Sequence, residues 1–199
     1  LKLPVAARGR ASTTGSSAGT TLVAAAGSML VLADGIVAHA SDPAAPTAAY
    51  VAQALGLPGN PLDAVETLTL KDRYRDFQGL HGFHAPPHRA ADSLAQAQAA
   101  LQALGLPLMV KPVDSSGSKG VTRVDRPDQL PAAYVQAQAY SRSGRVLLEG
   151  WIERSGHQIA GDGYVREGKL VFHCLAQEHF NPCAGRYTPV GESFPLHMA

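Results

Sequence analysis

Lys111 closes the apolar run Leu108, Met109 and Val110, and a loop of Asp114, Ser115, Ser116, Gly117, Ser118, Lys119 and Gly120 follows it closely. The two glycines permit backbone conformations closed to other residues, so successive N–H groups can turn inward, and three serine hydroxyls add donors beside Lys119. Phosphate oxygens are what such a group of donors and cations would bind. A Walker-type loop is excluded, because it needs Ser or Thr after its lysine and then a helix, whereas Gly120 and the extended run Val121 to Val124 follow here. Taken alone, the same residues also suit a solvated hairpin loop. Two further charges stand out. Lys71 falls in the first turn of an expected helix, where the helix dipole disfavours a cation, so it is either ligand-directed or a solvated surface lysine. Glu149 ends an apolar strand and, by itself, reads equally as a surface carboxylate.

Periodicity and punctuation give the elements that would position these groups. Residues 29–33 are apolar, Asp34 and Gly35 interrupt them, and residues 36–40 read as a buried strand. Ser41 or Asp42 can cap a helix with Pro43 and Pro46 in its first turn, an apolar stripe of Tyr50, Val51, Ala54 and Leu55, and a stop at Gly56. Pro61 starts a short helix over residues 62–67, and Thr69 caps another to about His81, with Tyr74, Phe77, Leu80 and His81 as its core-directed face. A helix over residues 93–104 puts Leu94, Gln98, Leu101 and Leu104 in phase and stops at Gly105. After the strand, loop and strand of residues 108–124, Asp125 caps a helix to about Tyr140 with Pro127 in its first turn and Leu130, Tyr134 and Ala137 inward. Strands are expected over residues 145–149, 158–165 and 169–176, the last two joined by a hairpin turn at Glu167-Gly168. Leu170, Val171, Phe172 and Leu175 read as sheet core, and the chain from Glu178 onward as an irregular tail.

The 199 residues suit one ordinary domain or two small ones. A hydrophobic content of 45% supports a core, while 17% charged residues and a net charge of +1 exclude any general attraction for nucleic acid or an anionic membrane. No run is apolar over the length that spans a bilayer. Cys174 and Cys183 are too few for a disulfide framework, so a cytoplasmic location is expected. Residues 1–28 hold no acidic residue, are rich in Ala, Ser, Thr and Gly, and predict a poorly ordered segment; Lys2, Arg8 and Arg10 weakly resemble a transit peptide, but residues 22–26 are too short for a signal-peptide core.

With the elements placed, the stretches KDRYRDF, LPLMVKPVDSSGSKGV, VLLEGWIE and GHQIAGDGYVREGKLVF resemble, in order and approximate spacing, the ATP-grasp superfamily of carboxylate-amine ligases. Within it the chain looks most like bacterial proteins related to the carbamoyl-phosphate synthase large chain. The resemblance runs from about Asp34 to the C-terminus and implies an α+β fold of the ATP-grasp kind. A small α/β lobe of antiparallel strands and helices, over about residues 93–149, would lie within a partial ATP-grasp domain of residues 61–199. A remnant of a Rossmann-like α/β domain, residues 29–60, would precede it, DGIVAHASDPAAPTAAYVAQALGLPGNP resembling the junction between the two.

The resemblance also implies a nucleotide site. Lys71 and Lys111 match lysines that reach the phosphates of ATP, and Ser115, Ser116, Gly117, Ser118, Lys119 and Gly120 match a mobile loop that closes over the β- and γ-phosphates. Glu149 matches a carboxylate that accepts from the adenine amino group, and the backbone of Gly150, Trp151 and Ile152 matches the hinge that reads the adenine edge. Gln158 falls where many relatives carry a ribose-binding glutamate; its amide can still bond a hydroxyl. Lys111 and Glu149 must then lie on one side of adjacent strands. The implied reaction phosphorylates a carboxylate with ATP and gives an acylphosphate that an amine attacks, the two substrates being unidentified and self-association left open. Mg²⁺ is implied, but the glutamate and the asparagine or second glutamate that hold it have no match in residues 178–199, and the complete Rossmann-like half with which relatives begin is also unmatched. The expectation is a fragment with most of an ATP pocket, no metal site and no activity of its own.

Two rival readings share these residues. His173, Cys174, His179 and Cys183 are the residue types of a zinc site, but His173 and Cys174 are adjacent and point to opposite faces of a strand, and no Cys-x-x-Cys spacing accompanies them. A non-catalytic or vestigial nucleotide-binding module would share every motif of the ligase reading.

Overall fold

The computed structural model describes residues 21–24, 30–38, 41–180 and 187–196, and the chain divides into two compact units, Leu1–Phe83 and His84–Ala199. In the first unit β1 (Thr21–Ala24) pairs antiparallel with β2 (Leu30–Ala33). Of the segment expected to be poorly ordered, only β1 is described. The strand expected over residues 36–40 is not formed in its described part: residues 36–38 pair with nothing, Ile36 and Val37 are exposed, and His39 and Ala40 lie outside the described residues.

Helix α1 (Ala45–Leu55) ends on Gly56 in the left-handed conformation, as its position after the last helical residue predicts. Its buried positions are Ala49 and Ala52, whereas Tyr50 and Ala54 face out. Helix α2 (Leu62–Thr69) follows Pro61, and α3 (Lys71–Leu80) follows directly. Thr69 does not cap α3, because its hydroxyl donates back to the Val65 carbonyl at 2.7 Å inside α2. The expected inward face of α3 is also overturned. Leu80 is 83% exposed and Phe77 and His81 are exposed, their rings tilted at 43° with centroids 4.3 Å apart, while Asp72 is the buried residue of the helix. Three-residue spacing of apolar groups marks a helix face, but not which partner exists to cover it.

The second unit is built on a four-stranded antiparallel sheet in the order β3 (His88–Ala91), β6 (Val146–Gly150), β4 (Leu108–Pro112) and β5 (Thr122–Val124). Helices α4 (Leu94–Leu104) and α5 (Leu130–Tyr140) pack on it. Strand alternation sends Leu108, Val110, Val146 and Leu148 into a core with Ala97, Ala100, Leu101, Leu130, Ala133, Tyr134 and Ala137 of the helices. Alanines on the inner faces let the helices approach closely, and Gln98, counted by spacing among the inner residues of α4, faces solvent. Ser93 caps α4 by accepting from the Gln96 N–H at 3.2 Å. Asp125 does not cap the next helix. It pairs with Arg123 at 2.8 Å, and Gln129 reaches back instead to accept from the N–H groups of Asp125 and Arg126, ahead of a 3₁₀ turn, Pro127–Gln129, that leads into α5.

A second sheet holds β7 (Gln158–Arg166), β8 (Lys169–Phe180) and β9 (Pro189–Ser193) in that order. Its hairpin turns on Glu167 and Gly168, both at positive φ, the geometry that matches strand twist. The tail expected to be irregular from Glu178 is therefore partly sheet. Leu170, Val171, Phe172 and Leu175, expected as sheet core, are all exposed, because among the described residues no second layer covers this part of the hairpin.

Candidate nucleotide site

Alternation decides where the charged groups of the first sheet go. With Leu108, Val110, Val146 and Leu148 turned to the helices, Met109, Lys111, Leu147 and Glu149 share the opposite face. Register then places Met109 opposite Glu149 and Lys111 opposite Leu147, so Lys111 and Glu149 stand diagonally across adjacent strands. Their side chains meet in an ion pair from which water is largely excluded. The two residues singled out at separate points of the sequence are thus one unit, on one side of adjacent strands. Any phosphate that used Lys111 would compete with Glu149 for it.

The loop after β4 is fixed at its base and its apex. Asp114 is buried and accepts from Ser141 Oγ at 2.8 Å, Arg142 N–H at 3.0 Å and Ser143 N–H at 2.8 Å, while Arg142 Nη2 donates to the Asp114 carbonyl at 2.9 Å. Burial opposes ionisation of this carboxyl, but the hydrogen bonds from Ser141, Ser143 and Arg142 outweigh it and hold the group below the ordinary aspartate value. Gly117 and Gly120 take positive φ, as expected of these glycines, and Ser118 does so as well, which its residue type did not signal. At Gly120 a side chain would be strained by the positive φ, and its Cβ would lie 3.0 Å from the Tyr140 ring, so that Tyr140 would have to give way. Ser118 Oγ donates to the Tyr187 carbonyl at 2.5 Å, tying the apex to the segment that leads into β9, and Lys119 is exposed beside it.

Beyond Glu149 the chain leaves β6 and enters the wall of a cavity of about 450 Å³ lined by Arg123, Trp151, Ile152, Glu153, Arg154, Gln158, Phe180 and Tyr187. The Arg123 guanidinium lies 4.4 Å over the Trp151 ring and Arg154 5.4 Å from the Phe180 ring centre, while Trp151 meets Tyr187 edge-on at 6.4 Å. Trp151 Nε1 donates to Glu153 at 2.8 Å. The Gly150 and Trp151 N–H groups donate to the carbonyls of Pro87 and Pro107, at 2.9 and 3.1 Å, which keeps this stretch extended. The cavity offers planar apolar walls, a strand-like backbone edge and cations at its rim, which suits a flat polar ring joined to an anion.

Of the residues singled out in sequence, Lys111 and Glu149 are paired, Trp151, Ile152 and Gln158 line the cavity, and Ser118 is bonded to another lining residue. Lys71 opens α3 in the first unit. Arg123, Glu153, Arg154, Phe180 and Tyr187 were missed; Arg123 comes from the first sheet, Phe180 from the second and the others from segments outside the strands, and only the spacing of Arg154 and Phe180 around a predicted hairpin could have hinted at two of them. Cys183 of the zinc alternative lies outside the described residues. Among the described residues no group of three or more His, Cys, Asp or Glu is placed to hold a metal ion.

Comparisons with known proteins converge on one architecture. Residues 83–167 match the family model described as D-ala D-ala ligase C-terminus. The chain is 45% identical over 74 residues to the formate-dependent phosphoribosylglycinamide formyltransferase of Azotobacter vinelandii, covering 36% of this chain and 19% of that protein. It superposes on D-alanyl-alanine synthetase A from Vibrio cholerae with a TM-score of 0.60 at 15% identity, over 79% of this chain and 49% of that one. The L-amino acid ligase of Bacillus licheniformis gives 0.55 at 24% identity, over 80% of this chain and 35% of the other. The chain therefore spans about a fifth of the length of the curated relative and less than half of either solved chain.

Proposed function

We infer that this chain is of the ATP-grasp superfamily, and we propose that its second unit is the nucleotide-binding part of an ATP-dependent carboxylate-amine ligase. The observation that carries the reading is the Lys111–Glu149 pair on one sheet face, with an aromatic-walled cavity beginning where the strand of Glu149 ends. The relatives' names support it. Formate-dependent formyl transfer to a glycinamide, D-alanyl-alanine synthesis and L-amino acid ligation share one step, the joining of a carboxylate to an amine.

In this reading the base of ATP lies in the cavity against Trp151 and Tyr187, its edge meeting the backbone at Ile152, since the N–H groups of Gly150 and Trp151 are already given to prolines. Glu149 accepts from the amino group of the base and releases Lys111 to the phosphates. The backbone of Ser115, Ser116, Gly117, Ser118, Lys119 and Gly120 then donates to the terminal phosphates. Transfer of the γ-phosphoryl group to a substrate carboxylate breaks the bond to ADP and forms an acylphosphate; attack by an amine forms the amide and releases phosphate. Cationic groups and backbone donors stabilise the charge spread over the transferring oxygens. We place the protein in the cytoplasm, because two cysteines do not make a disulfide framework, Cys174 is a free thiol, and no described helix is long and apolar enough to cross a membrane.

Calorimetric titration with ATP and with adenosine tests the reading. Lys111→Ala removes a charge-assisted hydrogen bond worth roughly 1.5 to 3 kcal/mol, so ATP affinity should fall about ten- to a hundredfold with adenosine affinity unchanged. Equal loss for both ligands, or none for either, would overturn the phosphate role of Lys111.

A further inference from the structure

Gln158 and Glu178 are the first register pair of the β7–β8 ladder, at the end that adjoins the cavity. Gln158 Nε2 donates to Glu178 Oε2 at 2.5 Å. Glu178 shares its strand face with Phe180, which lines the cavity, as Gln158 itself does. An ionised carboxylate only accepts, so the Gln158 amide has one permitted orientation beside it: nitrogen toward Glu178 and carbonyl oxygen away. A glutamine without such a neighbour turns either end outward at little cost.

We propose that Glu178 is a positioning residue that fixes the Gln158 amide so that Oε1 is presented to the cavity as an acceptor for the sugar hydroxyls of the bound nucleotide. The inference rests on the nucleotide reading above and deepens it. A ribose diol has two protons to donate, and the two lone pairs of a locked amide oxygen receive them much as a carboxylate oxygen would. The pair Gln158–Glu178 thereby does with one charge on β8 what a glutamate on β7 would do alone.

The full 199-residue chain is titrated with ATP, 2′-deoxyATP and 3′-deoxyATP by calorimetry, with circular dichroism confirming that each variant is folded. Wild type should prefer ATP over at least one deoxy analogue by roughly three- to tenfold, the range of one neutral hydrogen bond. Glu178→Ala should bring ATP down to the affinity of that analogue and leave the analogue unchanged. Gln158→Glu alone sets two carboxylates side by side and should weaken ATP, whereas adding Glu178→Gln to it lets the new amide donate to the new carboxylate and should restore both affinity and hydroxyl preference. A role confined to holding the hairpin would move stability and leave the ratio of ATP to deoxyATP affinity untouched. If wild type shows the preference and Glu178→Ala keeps it, or the double variant fails to recover it while folded, the positioning role is overturned and the nucleotide reading stands. If wild type binds none of the three nucleotides, the nucleotide reading falls and takes this inference with it.

Discussion

Asp114 shows how a single carboxylate organises the loop. It is acceptor-only and receives three donors from residues 141–143, so replacing it with asparagine turns an amide NH₂ toward N–H groups that need an acceptor. Asp114→Asn should cost about 1.5 to 3 kcal/mol at neutral pH, read by urea denaturation. Its depressed pKa fixes the sign of the pH dependence. The stabilisation is fully present above the unfolded value of about 4 and is lost as pH falls through the lower folded value, so wild type and Asp114→Asn should converge in stability below that range. A wild-type advantage that persisted undiminished at the lowest pH would assign it to packing instead. Lys111 and Glu149 obey a related rule: both are nearly buried and they form one ion pair, so removing either takes a countercharge from the other.

At the scale of elements, the second unit depends on local signals that agree with one another. Ser93 is the residue type that caps helices and does so with its hydroxyl on Gln96 N–H. Ser93→Ala should therefore lower stability by about 1 kcal/mol, while Ser93→Asp should be nearly neutral; equal loss for both in denaturant titrations would mean that the hydroxyl serves something other than the cap. The start of α5 is instructive for the opposite reason. Asp125 is an equally good capping type, yet Arg123 engages it and Gln129, at the end of the 3₁₀ turn, accepts from the N–H groups of Asp125 and Arg126. Side chains within reach of more than one partner are assigned by the whole set of neighbours, not by type.

For the whole molecule, the conspicuous feature is the apolar surface of the β7–β8 hairpin. Ile159, Tyr164, Val165, Leu170, Val171, Phe172 and Leu175 are all exposed, where scattered single residues are the norm for a soluble surface. The chain should bind a hydrophobic dye such as ANS in its native state. Val171→Thr with Leu175→Thr should reduce that fluorescence severalfold and shift stability by less than about 0.5 kcal/mol, since little packing is lost. Unchanged fluorescence would place the dye elsewhere, and a large loss of stability would show these side chains to be buried in solution.

The sequence by itself determined most of the elements and the conjunction of Lys111, the glycine loop and Glu149, because strand and helix periods, capping types and turn glycines act over a few residues. It also determined that residues 115–120 form no Walker loop and that Glu167-Gly168 turns a hairpin. Tertiary structure alone decided which faces are covered. The inward stripe expected on α3 and the core expected in β8 are exposed, because burial depends on a partner surface that no local pattern encodes. It decided, too, that Lys111 and Glu149 neutralise each other and that Arg123, Phe180 and Tyr187 meet Trp151 around one cavity. Those contacts join residues tens of positions apart through sheet register, and register is fixed only when the strands find one another.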